Sequence, residues 1–92
     1  MVTAFVLIRA KGQRIGALGE AIAEIPQVAE VYSVTGPYDL IALLRLKDLE
    51  ELDQVVTQGI LALDGVERTE TLLGFRAYPS RLLDQGFALG EG

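Results

Sequence analysis

A hydrophobic pattern that repeats after 38 positions is the strongest constraint on what this chain can fold into. The shift lays Ile25-Pro26-Gln27-Val28 through Gly36 on Leu63-Asp64-Gly65-Val66 through Gly74. It also superposes Leu18 on Val56, Ile22 on Ile60, and the apolar run at the N-terminus on the run that follows Asp39. Each half switches from a two-residue period to a helical one and back. The pattern supports two strand-helix-strand units in tandem, though two amphipathic segments can also match by chance; the element order stands either way. Ninety-two residues suit one domain with one core.

Within the first half, Val2 to Ala10 is rich in β-branched and apolar residues and predicts a strand that Lys11-Gly12 ends. Ile15, Leu18, Ile22 and Ile25 recur at helical spacing until Pro26. Gly16 and Gly19 each weaken this helix by ~1 kcal/mol relative to alanine. Val28 to Thr35 predicts a second strand, with Val28, Tyr32 and Val34 on one face and Val31 and Ser33 on the other. Gly36-Pro37-Tyr38 is a turn signal, and Asp39 to Leu46 returns as a third strand, giving a hairpin. Asp48 with Glu51 reads as a capping box in which aspartate replaces serine or threonine. The helix it opens should bury Leu49, Leu52, Val56, Ile60 and Leu63, with Gly65 as the left-handed residue that closes it. Val66 to Tyr78 predicts the last strand, stopped by Pro79.

The order β-α-β-β-α-β predicts an α+β, ferredoxin-like fold: a four-stranded antiparallel sheet with two helices on one face. The domain is expected over residues 1–79, with 80–92 as a C-terminal tail. Leu82, Leu83, Phe87 and Leu89 make that tail too apolar to be purely solvated, while its glycines disfavour a stable element.

The second face of such a sheet should be polar if it meets water. It is not. Val2, Ala4, Val6 and Ile8 point one way along the first strand, and Phe5 and Leu7 point the other. On the third strand Ile41 and Leu43 oppose Leu40, Ala42, Leu44 and Leu46. An interface of ~800 Å² per partner gains on the order of tens of kcal/mol gross, against an association cost of ~4–15 kcal/mol. The expectation is dimerisation through the sheet, an αβ-sandwich dimer.

Composition removes most chemistry. A net charge of −5 opposes a nucleic-acid surface. With no cysteine and no histidine, disulfides, thiolate catalysis, the usual general base and the commonest metal ligand are all missing. No cofactor, metal or catalytic residue is expected. Glu50, Glu51 and Asp53 read as a solvated helix face, and Glu67, Arg68 and Glu70 as a strand rim. Gly12, Gly16 and Gly19 lack the spacing of a phosphate loop. The apolar runs are too short to cross a bilayer, and Met1-Val2-Thr3 opens no signal-peptide pattern, so a soluble cytoplasmic protein is expected.

One segment carries the handles for a small ligand. In Val34-Thr35-Gly36-Pro37-Tyr38-Asp39 a carboxylate directly follows a glycine-proline turn. Backbone N–H groups of a turn can hold a carboxylate, and an aspartate can accept from an ammonium. These are the two polar ends of a free amino acid. A turn whose aspartate caps only its own backbone would look the same, and the residues leave both readings open.

Ile25 through Ile41 and Leu63 through Thr71 resemble the RAM (regulation of amino acid metabolism) domain, the effector-binding domain of the Lrp/AsnC feast/famine transcription regulators. The resemblance covers residues 2–78. It implies sheet-paired dimers assembled into a ring of dimers, with a free amino acid bound where dimers meet. It places Gly36, Tyr38 and Asp39 on the family's glycine-aspartate loop, and Thr69 and Thr71 on its threonine-bearing last strand. Family regulators carry an N-terminal helix-turn-helix, whereas this chain begins at the first strand and resembles the stand-alone version. The resemblance thus implies an amino-acid sensor in transcription regulation or amino acid metabolism, without direct DNA binding, able to co-assemble with a full-length regulator. A small monooxygenase or isomerase of the dimeric α+β barrel group, or a plain structural adaptor, are the rival readings.

Overall fold

Two strands form the centre of the sheet because they are the ones apolar on both sides. In the computed structural model, which describes residues 1–12 and 14–80, β1 (Val2–Ala10) pairs antiparallel with β3 (Leu40–Leu46) and with β4 (Val66–Gly74). Strand β2 (Val28–Ser33) lies outside β3, so the order is β2-β3-β1-β4. Phe5 stands opposite Leu43, its own counterpart in the internal repeat. Ala4 stands opposite Leu44, and the equivalent residues Ala42 and Val6 also pair. The repeat is therefore a pseudo-twofold axis through the β1–β3 pair.

Helix α1 (Ile15–Ala23) and helix α2 (Glu50–Val55), the latter prolonged by a π-helical turn (Val56–Ile60), supply the apolar layer on one face. Ala4, Val6, Ile8, Leu40, Ala42, Leu44 and Leu46 from the sheet meet Leu18, Ile22, Val55, Val56 and Ile60 from the helices. No polar side chain is buried among the described residues. The fold is the ferredoxin-like β-α-β-β-α-β that the periodicity predicts. Gly65 adopts φ +100°, the left-handed turn expected before β4, and its carbonyl accepts from Lys11 N–H at 2.8 Å.

Local packing corrects several details. The ladder slips between Val28 and Glu30, so Val28 and Val31 both pack on the core while Tyr32 is exposed on the other face. A bulge inserts one residue and flips the alternation that a regular strand would keep. Strand β2 stops at Ser33 and β4 at Gly74, short of Thr35 and Tyr78. The capping box forms with an offset: Asp48 Oδ1 accepts from Glu51 N–H, and Glu51 Oε1 accepts from Lys47 N–H. Leu49 consequently sits in the turn before the helix, 57% exposed. The wider π turn brings Val55 alongside Val56 on the buried side. The apolar tail residues Leu82 to Leu89 lie outside the described residues.

This phase difference is testable by urea denaturation followed by circular dichroism. Ile60→Ala, which opens a cavity under the π turn, should cost about 2–5 kcal/mol. Leu49→Ala should stay within about 0.5 kcal/mol.

Candidate functional site

The hairpin turn between β2 and β3 is anchored to the neighbouring strand rather than left to itself. Val34 N–H donates to the Asp39 carbonyl at 3.1 Å, and Asp39 N–H donates to the Ile8 carbonyl at 2.9 Å. Gly36 adopts φ +109°, where a Cβ would be strained, and the space around it is open. Two residues beyond Ile8, on the same edge of β1, Ala10 N–H donates to Asp39 Oδ2 at 2.8 Å. There β1 leaves its ladder with β3, and the carboxylate supplies the acceptor that the ladder no longer does. Asp39 is thus half-buried and tied to the end of β1. Its second oxygen, Oδ1, has no hydrogen-bond partner among the described residues.

Tyr38 points to the face of the sheet opposite the helices. Its hydroxyl donates to Glu70 Oε1 at 2.6 Å, and the Arg68 guanidinium lies 5.6 Å from its ring centroid. The hydrogen bond to Glu70 raises the phenol above the ordinary tyrosine value of 10.0; desolvation and the Glu70 charge add to this, and Arg68 and Arg9 oppose it. Arg9 and Arg68 stand directly opposite each other on β1 and β4, an unfavourable like-charge pair. Arg9 relieves it by donating to the Pro37 carbonyl, and Arg68 by stacking on Tyr38. Beside them Leu7, Ser33, Pro37, Tyr38 and Ile41 line an open depression of about 620 Å³.

Thr69 and Thr71 pair with Ile8 and Val6, whose side chains face the helices. Directly opposed residues share a face, so both threonines lie half-buried on the helix side, across the sheet from Tyr38. Of the five residues singled out, Gly36, Tyr38 and Asp39 come together on one turn, and the threonines do not join them within one copy. Sequence reasoning missed Arg9 and assigned Arg68 and Glu70 only to a rim. The alternation Arg68-Thr69-Glu70 was the available signal, but nothing in it reveals that Tyr38 reaches across β1 to β4. Among the described residues no group of three His, Cys, Asp or Glu could hold a metal, and no helix is long and apolar enough to cross a membrane.

Residues 3–82 match the Lrp/AsnC ligand binding domain family. The chain belongs to that family. It is 81% identical to TTHA0845 from Thermus thermophilus, whose crystal structure superposes with a TM-score of 0.83 over 87% of this chain and 100% of that one. An uncharacterised HTH-type transcriptional regulator of Pyrococcus abyssi is 40% identical over 70 residues, covering 76% of this chain and 47% of the relative. The chain spans about half the length of the curated relatives it matches. A Neisseria meningitidis transcriptional regulator, solved as a complex with L-methionine, shares the fold at 16% identity and a TM-score of 0.78, over 86% of this chain and 53% of that one.

The tether predicts a stability signature for this Lrp/AsnC domain. Asp39→Ala leaves the part-buried Ala10 N–H without its acceptor and should cost about 1–3 kcal/mol. Asp39→Asn keeps an oxygen for that N–H and should cost clearly less. Thermal unfolding of the two variants side by side measures the difference.

Proposed function

We propose that the chain is an oligomeric amino-acid sensor domain that serves transcription regulation or amino acid metabolism in the cytoplasm. Membership of a ligand-binding family of transcription regulators carries this reading. The methionine complex of the Neisseria regulator supports an amino acid as the class of effector. In this reading the free Oδ1 of Asp39 accepts from the ligand ammonium, and the Gly36 turn holds its carboxylate. Thr69 and Thr71 face away from Tyr38, so the five residues act together only where two copies meet.

Assembly follows from the uncovered sheet face. Phe5 and Leu72 are 38% and 47% exposed, and Leu7, Ile41 and Leu43 lie between the edges of the same face. A second copy covers this surface with the same surface, the self-complementary geometry of a twofold dimer. Dimers join into a ring, and a full-length Lrp/AsnC regulator presents a compatible surface for co-assembly. The negative charge of the chain argues that these 92 residues alone do not bind DNA, and the lack of histidine and cysteine argues that they are not an enzyme.

Light scattering after gel filtration should give a dimer or a higher even multiple; a stable micromolar monomer would contradict the assembly. Calorimetry with a panel of amino acids should find a ligand. A charged hydrogen bond contributes ~1.5–3 kcal/mol, so Asp39→Asn should bind that ligand roughly 10- to 150-fold more weakly. Unchanged affinity in a folded Asp39→Asn variant would move the site elsewhere. Gel shifts at physiological salt should show no specific complex of this chain with DNA.

A further inference from the structure

We propose that the cleft between α1 and the turn leading into β4 is a second amino-acid site, selective for a zwitterion with an aliphatic side chain. This extends the sensor reading to a place in the fold that the turn motif does not reach. The cleft has a volume of about 670 Å³, within the ~300–1,000 Å³ of ordinary small-molecule sites. Its inner wall is apolar: Leu18 is buried in the core, and Ala21 and Leu63 are half-buried beside it. Its rim carries Lys11 and Arg14 from the segment between β1 and α1, and Asp64 from the turn before β4.

These charges are unspent. Among the described residues neither Lys11 nor Arg14 nor Asp64 has a side-chain hydrogen bond or ion pair. The two sides of the rim are nonetheless held in place, because Lys11 N–H donates to the Gly65 carbonyl at 2.8 Å. Two cations, one carboxylate and an apolar wall match a carboxylate, an ammonium and an aliphatic side chain on one small molecule. A phosphate dianion would meet Asp64 and have no use for the wall; a simple fatty acid would leave Asp64 unpaired. L-leucine satisfies all three elements.

The same rim is linked to the turn site through Ala10, which lines the cleft and is hydrogen-bonded by Asp39. Two sites thus lie on either side of one backbone amide.

The test follows L-leucine binding by amide chemical shifts and calorimetry in the intact chain. Gly12, Ala17 and Gly65 should shift on titration, and Arg14→Gln and Asp64→Asn should each weaken binding at this site ~10-fold or more. Both side chains are exposed, so the variants keep the fold. The 2-oxo acid of leucine, which lacks the ammonium, should bind more weakly to the parent and lose nothing further in Asp64→Asn. Shifts confined to Gly36–Asp39 and β4, with Arg14→Gln binding like the parent, would overturn the second site and leave the sensor reading intact. Failure of every amino acid in the panel to bind anywhere would overturn both.

Discussion

Phe5 facing Leu43 across the two central strands is the contact on which the rest of the molecule depends. Strands β1 and β3 are flanked by neighbours on both edges, so their backbone polarity is satisfied in the sheet and their side chains are free to be apolar on both faces. One face is closed by α1, α2 and the π turn, around a core without a buried polar group among the described residues. Among the described residues no layer covers the other. The internal repeat places a pseudo-twofold axis on this pair for the backbone, while the side chains of the uncovered face differ across it: Leu7 corresponds to Arg45 and Ile41 to Thr3.

The end of β1 is where the β2–β3 turn is tied to the sheet. Central strands end by giving up ladder hydrogen bonds, and each donor lost must find another acceptor. Asp39 does this for Ala10, and in doing so ties the β2–β3 turn to the segment that starts α1. The proposed turn site and the rim that carries Lys11 and Arg14 are therefore one hydrogen bond apart. Of its two oxygens, Oδ2 holds the backbone and Oδ1 has no hydrogen-bond partner among the described residues.

The parts legible in the sequence are those set by hydrophobic period. Element order, the bounds of β1, the two-faced central strands and the positive φ of Gly65 all follow from local pattern. What escaped depends on one-residue changes of phase that leave no compositional mark. The bulge after Val28 turns Tyr32 to the open face, and the π turn buries Val55 while Leu49 stays in solvent. The turn motif of the candidate site was visible as Gly36, Tyr38 and Asp39. Its surroundings were not, because the Tyr38–Glu70 and Ala10–Asp39 contacts span 32 and 29 positions. The threonines illustrate the same limit: their position on β4 is readable, but the face they occupy is fixed by pairing with Ile8 and Val6.

Charge placement favours the proposed small zwitterion over a polyanion at this end of the molecule. Arg9, Lys11, Arg14 and Arg68 gather where β1 ends and β4 begins, interleaved with Asp39, Asp64, Glu67 and Glu70. That end is a balanced mosaic of both signs. At the opposite end Asp48, Glu50, Glu51 and Asp53 open α2 after β3, next to Arg45 and Lys47 in the chain. At physiological salt the field of exposed charges decays over ~8 Å, so the acidic end barely alters what the mosaic sees. A nucleic-acid backbone presents only phosphates, and every carboxylate among the four arginines and lysines would oppose it. An amino acid presents both signs within one small molecule, and so can use the mosaic without leaving either kind of side chain unmatched.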